Sequence, residues 1–358
     1  MTADSNSGQS SGPGNNAATE GSDGFLINIP PEDITAEKPS RPVVPLWKSW
    51  LQLLRIPAVF TAWADICAGY LLTHNPWGLP AADARGELHL FLLLLTASSG
   101  LYLAGMLWND YFDLAIDRED RPNRPLPSGR ISLSAAYSVG VCLVLIGLGA
   151  SASIGLFWPN LWRWNPLIIA TLITMSVFAY DRLLKQTIVG PVAMGLCRFF
   201  NILLGASCSG IRWTGPFQQP QLWIAAAMAV YICGVTWFAR TEAKDSHRLS
   251  LAGASVVINA GLAILFAWAW TGIISVDPKH ASLLFGVIAI TINRRLITAM
   301  ISPTPAVVQG GVRMMLISII PIHCAVIYAQ HNRIDFATIL AIFLLIPTFT
   351  LGSLIRMT

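Results

Sequence analysis

The sequence predicts an all-α integral membrane bundle of about nine helices, with ten as the upper count, and three observations predict it. Only 12% of the 358 residues are charged while 54% are hydrophobic, against roughly 25% charged in a soluble domain. Several apolar runs reach the roughly 20 residues that a helix needs to cross a bilayer. Strand-like alternation is absent, which argues against a transmembrane β-barrel.

Residues 1–45 read as a disordered tail, since MTADSNSGQSSGPGNNAATEGSDG is rich in Ser, Gly and Asn with almost nothing to bury. It lacks the basic start and apolar core of a cleavable signal peptide, so the first membrane helix is expected to do the targeting. Residues 46–358 form the membrane domain, with spans expected at 50–72, 88–108, 132–155, 166–180, 187–208, 220–239, 251–274, 281–300, 313–329 and 335–354. The weakest is 281–300, where Asn293, Arg294 and Arg295 interrupt the apolar run; a short, tilted or partly interfacial helix is expected there.

Cytoplasmic connections carry an excess of Lys and Arg. One side collects Lys48, Arg55, Arg118, Arg121, Arg124, Arg130, Arg182, Lys185, Arg240, Lys244, Arg248, Arg294, Arg295, Arg313 and Arg356, while the other holds Arg85, Arg163, Arg212, Lys279 and Arg333. Fifteen against five is consistent with ten spans in the cytoplasmic membrane and both termini in the cytoplasm. The polar clusters then all fall on the cytoplasmic side. A net charge of +4 makes no case for nucleic acid as a partner. The cysteines, Cys67, Cys142, Cys197, Cys208, Cys233 and Cys324, have no CxxC pair or neighbouring His, so packed free thiols are expected rather than zinc or disulfides.

The chemistry concentrates in NDYFDLAIDREDRPNRPLPSG, residues 109–129. If the helix ending at Trp108 continues for two turns, Asn109, Asp110, Asp113 and Asp117 fall within an arc of about 100°. Three carboxylates on one face repel each other unless a cation compensates them. Oxygen donors without thiolate or imidazole favour Mg²⁺, which normally completes its shell with water and substrate phosphate oxygens. A phosphorylated partner is therefore implied. Arg118, Arg121, Arg124 and Arg130 follow, and guanidinium groups bind phosphate in bidentate fashion. Pro122, Pro125, Pro127 and Gly129 turn the chain back to the membrane. The alternative is an ordinary cytoplasmic loop, its arginines topological and its acids merely neutralising them.

This stretch resembles the UbiA superfamily of intramembrane prenyltransferases, whose first signature has the NDxxDxxxD form followed by an Arg-Pro turn. The resemblance covers residues 46–358 and implies a bundle of about nine helices around a lipid-open cavity. It also implies Mg²⁺-dependent transfer of a prenyl group from a polyprenyl diphosphate to an aromatic or other lipophilic acceptor. Asn109, Asp110, Asp113 and Asp117 would bind the metal, with Asp110, Asp113, Asp117 and Lys185 as the catalytic set and Arg118, Arg121 and Arg124 on substrate.

AYDRLLKQT, residues 179–187, is similar to the family's Tyr-and-Lys element, which makes Tyr180, Arg182 and Lys185 diphosphate contacts. Its Tyr-to-Lys spacing is one residue longer than the family form, and Lys185 has an alternative as an interfacial lysine snorkelling to headgroups. Arg198 and Asn201 share a helix face within an apolar span, ready for the diphosphate, an Asp across the bundle, or a helix-to-helix hydrogen bond. Arg240 opens FARTEAKDSHRLS, where the superfamily carries Asp, three residues, then Asp. Here Asp245 matches the second acid, but Thr241 stands four before it and Glu242 is the nearest carboxylate, so one metal ligand is missing or moved. The combination is most similar to the EboC-like branch. In the first span, Arg55 is placed for diphosphate or acceptor, and Asp65 for pairing with a buried Arg ahead of an acceptor contact.

The implied mechanism has metal and cationic side chains absorbing the charge of the departing diphosphate. An allylic cation then forms in a dry cavity, where aromatic rings stabilise it. The altered second acidic loop motivates a rival, a non-catalytic carrier or accessory protein on the same fold. No internal repeat supports a transporter, and no DGxxAR signature supports a CDP-alcohol phosphotransferase.

Overall fold

The computed structural model describes residues 44–74, 81–158, 163–209, 214–240, 246–271, 274, 276–331, 339 and 342–354. The expected tail therefore lies outside the described residues up to 43. Among the described residues every regular element is helical. Helix α1 (Leu46–Leu53) and helix α2 (Ile56–Leu71) form a pair bent by 41°. The bend falls at Arg55, whose left-handed backbone (φ 48°, ψ 46°) costs a residue with a Cβ roughly 1–2 kcal/mol. Pro57 then sits in the first turn of α2, where its missing N–H is no loss and its fixed φ suits the helix.

The same device opens α6 (Asn165–Phe178), α7 (Gly190–Gly205), α10 (Pro278–Ile301) and α11 (Pro305–Ile317). Side-chain caps add to it. Asp277 accepts from the Lys279 amide at 2.8 Å ahead of α10, and Ser132 accepts from Ala135 at 3.3 Å ahead of α5 (Leu133–Phe157). Helix α3 (Ala81–Phe112) continues into α4 (Leu114–Asp120) through Asp113. The Asp113 and Asp117 amides still donate to the Asn109 and Asp113 carbonyls at 3.0 and 2.9 Å. The helical continuation expected beyond Trp108 is thus present.

Seven stretches among the described residues are long and apolar enough to cross a membrane: Arg85–Phe112, Leu133–Phe157, Asn165–Leu184, Gln221–Ala239, Arg248–Ala269, Pro278–Ile301 and Pro305–His331. The bent α1–α2 pair makes an eighth. The protein is a multi-pass integral membrane protein. Helix α7 has 16 residues, about 24 Å at 1.5 Å per residue, somewhat less than the bilayer core.

Helices α8 (Gln221–Ala239) and α9 (Arg248–Ala269) lie side by side, and α10 follows against α9. The expected short or interfacial segment at 281–300 is instead the full 24-residue helix α10. Its polar Asn293 is satisfied by reciprocal hydrogen bonds with Asn259 of α9, at 2.9 and 2.8 Å, so the interruption needs no break in the helix. The span expected at 313–329 starts earlier, at Pro305. It is divided at Ser318 into α11 and α12 (Ile319–His331), the Ser318 hydroxyl returning to the Met314 carbonyl at 2.8 Å. Of the last expected span, α13 (Leu345–Leu354) is described. All six cysteines are free; Cys67, Cys208 and Cys324 are buried, while Cys142 is exposed.

Glycine sets the closest helix approach. A Cβ on Gly205 of α7 would lie 2.5 Å from the Ile66 carbonyl oxygen, and one on Gly69 of α2 would lie 2.0 Å from that of Ile202. Small residues let the two backbones touch, and this contact carries Asp65 of α2 up against α7. Gly205→Ala is expected to lower stability in detergent by roughly 1–3 kcal/mol. Gly149→Ala, at a position with open space around it, is expected to leave it unchanged or slightly raised. Thermal unfolding of the two variants checks the pair.

Candidate active site

The acids of the first cluster are not splayed into solvent. Asp110 and Asp117 are buried, and Asp113 is half-buried. Each is met by a cation from another element. Arg55 reaches Asp110 at 2.7 Å from the α1–α2 bend. Arg124 bridges Asp110 at 3.3 Å and Asp117 at 2.7 Å. Lys185 forms a short ion pair with Asp113.

The loop after α4 explains why Arg124 is the inward arginine. The Ser128 and Gly129 amides donate back to the Arg124 and Leu126 carbonyls at 3.0 and 3.1 Å, and Gly129 takes the positive φ (74°) that closes the turn. The fold thus buries Arg124, Pro125 and Leu126. Arg130 staples the loop to α1, donating to Ser49 at 3.1 Å, Gln52 at 3.3 Å and the Asn123 carbonyl at 2.6 Å. Arg118 is exposed and Arg121 half-buried, and no hydrogen bond or ion pair ties down either side chain among the described residues.

The extra residue between Tyr180 and Lys185 has a structural reason. Ala179–Leu184 is a π-helical turn, with the Lys185 amide donating to the Tyr180 carbonyl at 2.9 Å. Such a turn absorbs one added residue within a continuous helix. It points Lys185 at Asp113 and buries Asp181, whose Oδ1 accepts from Asn109 at 3.1 Å. Asp181 Oδ2 is buried without a hydrogen-bond partner among the described residues. Asp181 is the residue that spacing did not single out; the signal was an acid inside an otherwise apolar helix end. Arg182 points outward, its guanidinium 5.9 Å from the Phe112 ring centre. Arg240 closes the same turn, donating to the Thr187 carbonyl and, at 3.4 Å, to that of Lys185.

A second polar layer lies deeper. Asp65 stands ten residues beyond Arg55 on α2, about 15 Å further in, and is fully buried. Arg198 binds it at 2.8 Å and Thr61 at 2.8 Å; Asn201 donates to it at 3.0 Å and accepts from Ser98 at 2.8 Å. His323 Nε2 of α12 completes the set at 2.8 Å. The pairing ranked first for Asp65 is thus the geometry found, and it engages Arg198 and Asn201 away from the mouth. The Arg198 guanidinium also lies 5.5 Å from the ring centre of Tyr102, on α3 between the two layers. His323 went unread in IIPIHCAVIYA, although an ionisable residue in an apolar run is itself a signal.

Below the carboxylates, a groove of about 510 Å³ is lined by Trp63, Thr96, Ser99, Gly100, Leu103, Leu143 and neighbouring leucine and isoleucine side chains. Its α3 residues Thr96 and Leu103 stand 14 and 7 before Asp110, close to the same azimuth on a helix of 3.6 residues per turn. Trp63 is fixed there by its hydrogen bond to Ser99 at 2.7 Å. Glu242 and Asp245, expected as metal ligands, lie outside the described residues, as does Thr241.

The profile of the UbiA prenyltransferase family matches residues 60–335. The chain belongs to that family. The digeranylgeranylglyceryl phosphate synthases of Sulfurisphaera tokodaii and Sulfolobus acidocaldarius are 30% and 28% identical over 159 and 178 residues, covering 44% and 49% of this chain and 51% and 58% of theirs. The chain thus spans a little over half the length of these two curated relatives. A solved digeranylgeranylglyceryl phosphate synthase superposes with TM-score 0.57 at 20% identity, over 80% of this chain and 99% of that one. A UbiA homologue from Archaeoglobus fulgidus, bound to GPP and Mg²⁺, gives 0.54 at 14%, over 76% and 99%. These structures share the fold.

In this UbiA family member the deep layer is the more buried of the two. Asp65→Ala is expected to cost roughly 3–5 kcal/mol, because it strands the buried Arg198. Combining it with Arg198→Met is expected to cost less than the two single changes together. A double-mutant cycle by denaturation in detergent measures the difference.

Proposed function

We propose that the protein is an intramembrane prenyltransferase that moves a prenyl group from an isoprenoid diphosphate to a lipophilic acceptor, with Mg²⁺ as cofactor. One observation carries the reading. Four carboxylates, Asp110, Asp113, Asp117 and Asp181, face three cations, Arg55, Arg124 and Lys185, two turns along α3 from an apolar groove that includes Leu103. The excess negative charge coincides with the unpartnered Asp181 Oδ2. Burying an unmatched carboxylate is costly, so the site favours one further cation.

Among the described residues no three acids, histidines or cysteines converge tightly enough to make a ready-formed metal shell. That suits magnesium, which takes one or two carboxylates and completes its shell with phosphate oxygens and water. Asn109, Asp110, Asp113, Asp117 and Asp181 are the proposed candidates, one or two of whose carboxylates would hold it, with Glu242 and Asp245 as proposed alternatives from the loop at 241–245. Bound there, it would neutralise charge on the diphosphate leaving group.

The protein's own cations do the rest. Lys185, Arg124 and Arg55 are held by the acids in positions from which they can also take diphosphate oxygens; Arg118, Arg121 and Tyr180 would add to them, and Arg182 and Arg240 would do so only by leaving the Phe112 ring and the Thr187 carbonyl that they meet here. Arg198 and Asn201 act from below, through Asp65 and Tyr102. The groove receives the isoprenoid chain and keeps water from the allylic cation, with Trp63 as an electron-rich wall. The relatives' names favour a phosphorylated glyceryl acceptor over the aromatic ring expected from the sequence. The distribution of Lys and Arg supports a cytoplasmic membrane location, with the mouth and both termini on the cytoplasmic side. The carrier reading rests on the loop at 241–245, outside the described residues.

Purified protein with Mg²⁺, radiolabelled prenyl diphosphates and either a glyceryl phosphate or an aromatic acid acceptor is expected to yield a lipid-soluble product with the first. Asp113→Ala is expected to lower turnover at least about 100-fold. Diphosphate binding without any product would instead identify a carrier. Mn²⁺ binding followed by electron paramagnetic resonance is expected to weaken about tenfold in Asp181→Asn; unchanged binding would remove Asp181 from the ligand set.

A further inference from the structure

Helix α10 carries Arg294 and Arg295 seven and six residues before its end at Ile301, about 10 Å inside the helix terminus. Both are exposed. The surface around them faces lipid: Val287, Ile290, Ile297 and Ile301 are 58%, 65%, 52% and 68% exposed. Among the described residues neither guanidinium meets a carboxylate or any other hydrogen-bond partner, and the same holds for the exposed Arg313 on α11. Two charges on a membrane-facing helix are costly unless something anionic joins them.

The surface between α10 and α11 supplies the room. A groove of about 240 Å³ is lined by Thr291, Arg294, Arg295, Thr298 and Met314. The two threonine hydroxyls are spent within their own helix, on the Val287 and Arg294 carbonyls at 2.9 and 2.8 Å. The guanidinium N–H groups are therefore the free donors, and their fork geometry suits phosphate oxygens.

The position fixes the source of the phosphate. The α10 end at Ile301 is tied to the start of α9, where Arg248 donates to the Ile301 carbonyl at 3.1 Å and the Ser246 amide to that of Pro303 at 3.2 Å. The groove therefore lies about 10 Å from the rim of the bundle marked by the α10 end, a distance that long arginine side chains help to span, with apolar helix surface leading away from it. None of its residues belongs to the mouth described above.

We propose that this groove is a binding site for the phosphate of an anionic phospholipid, clamped by Arg294 and Arg295 with Arg313 nearby and with its acyl chains along Ile290 and Val287. The lipid would compensate the two intramembrane arginines and fasten α10 to α11. Basic pockets between membrane helices recognise anionic headgroups through such contacts.

The test uses the full chain, delipidated in detergent and titrated with phosphatidylglycerol, phosphatidylcholine or inorganic phosphate, with bound lipid counted by native mass spectrometry and unfolding temperature read in parallel. Phosphatidylglycerol is expected to bind and raise the unfolding temperature, and the other two to do neither. The R294Q/R295Q pair is expected to bind it about 30-fold more weakly, while R294K/R295K stays within a few-fold of wild type. Should the glutamine pair fail to fold, R294Q and R295Q singly are each expected to lose about fivefold. Equal phosphatidylglycerol binding by wild type and glutamine variants, or equal stabilisation by phosphatidylcholine or free phosphate, would overturn the assignment.

Discussion

At the rim of this bundle, negative charge is brought together before anything obliges it to be there. Asp110, Asp113 and Asp117 follow one another along a single helical face, and like charges in partly dry surroundings repel strongly. The fold holds them by drawing in a cation from three separate places: the α1–α2 bend, the loop after α4, and the π-helical turn after α6. Each of those places has an unusual backbone: a left-handed arginine, a proline-rich turn closed by glycine, and a turn with one residue too many. Local irregularity of this kind persists where the surroundings over-determine it. Here it is the means by which distant parts of the chain are made to converge.

The two polar layers divide the work. The mouth is partly open, with Asp113 and Lys185 half-buried, and sets four carboxylates against three cations. The inner layer is closed, with Asp65 carrying three side-chain partners, Arg198, Asn201 and His323, from two other helices. Gly69 and Gly205 hold α2 and α7 close enough for that network to form. Tyr102 lies between the layers and meets Arg198 of the inner one, so the position of the mouth is linked to packing nearly three turns below.

Much of this was legible in the residues themselves. Apolar run length found the spans, because a bilayer leaves little choice about helix length and satisfaction of backbone groups. The shared face of Asn109, Asp110, Asp113 and Asp117 followed from helical periodicity alone. Periodicity could not separate Arg124 from Arg118 and Arg121, since that choice is made by the fold of the loop that follows. Nor could it assign Asp181, because a one-residue excess shows in the spacing while the direction in which a π-turn rotates its side chains does not. The segment at 281–300 was expected to be short, tilted or partly interfacial because of Asn293, Arg294 and Arg295; of these, Asn293 is matched by Asn259, its partner 34 residues earlier, which sequence periodicity does not reveal. Residues 241–245, where the second acidic motif was expected, stay outside what the structure describes.

The Asp65 network also bears on how the chain is made. Asp65 precedes Arg198 by 133 residues and His323 by 258. During synthesis α2 therefore leaves the ribosome carrying a buried-type acid whose counter-ion has not yet been translated. On its own it is a poor membrane segment, and it becomes a good one only after α7 has arrived beside it. The polar network of α2 is thus completed only by residues encoded 399 and 774 nucleotides downstream, three for each of the 133 and 258 intervening steps.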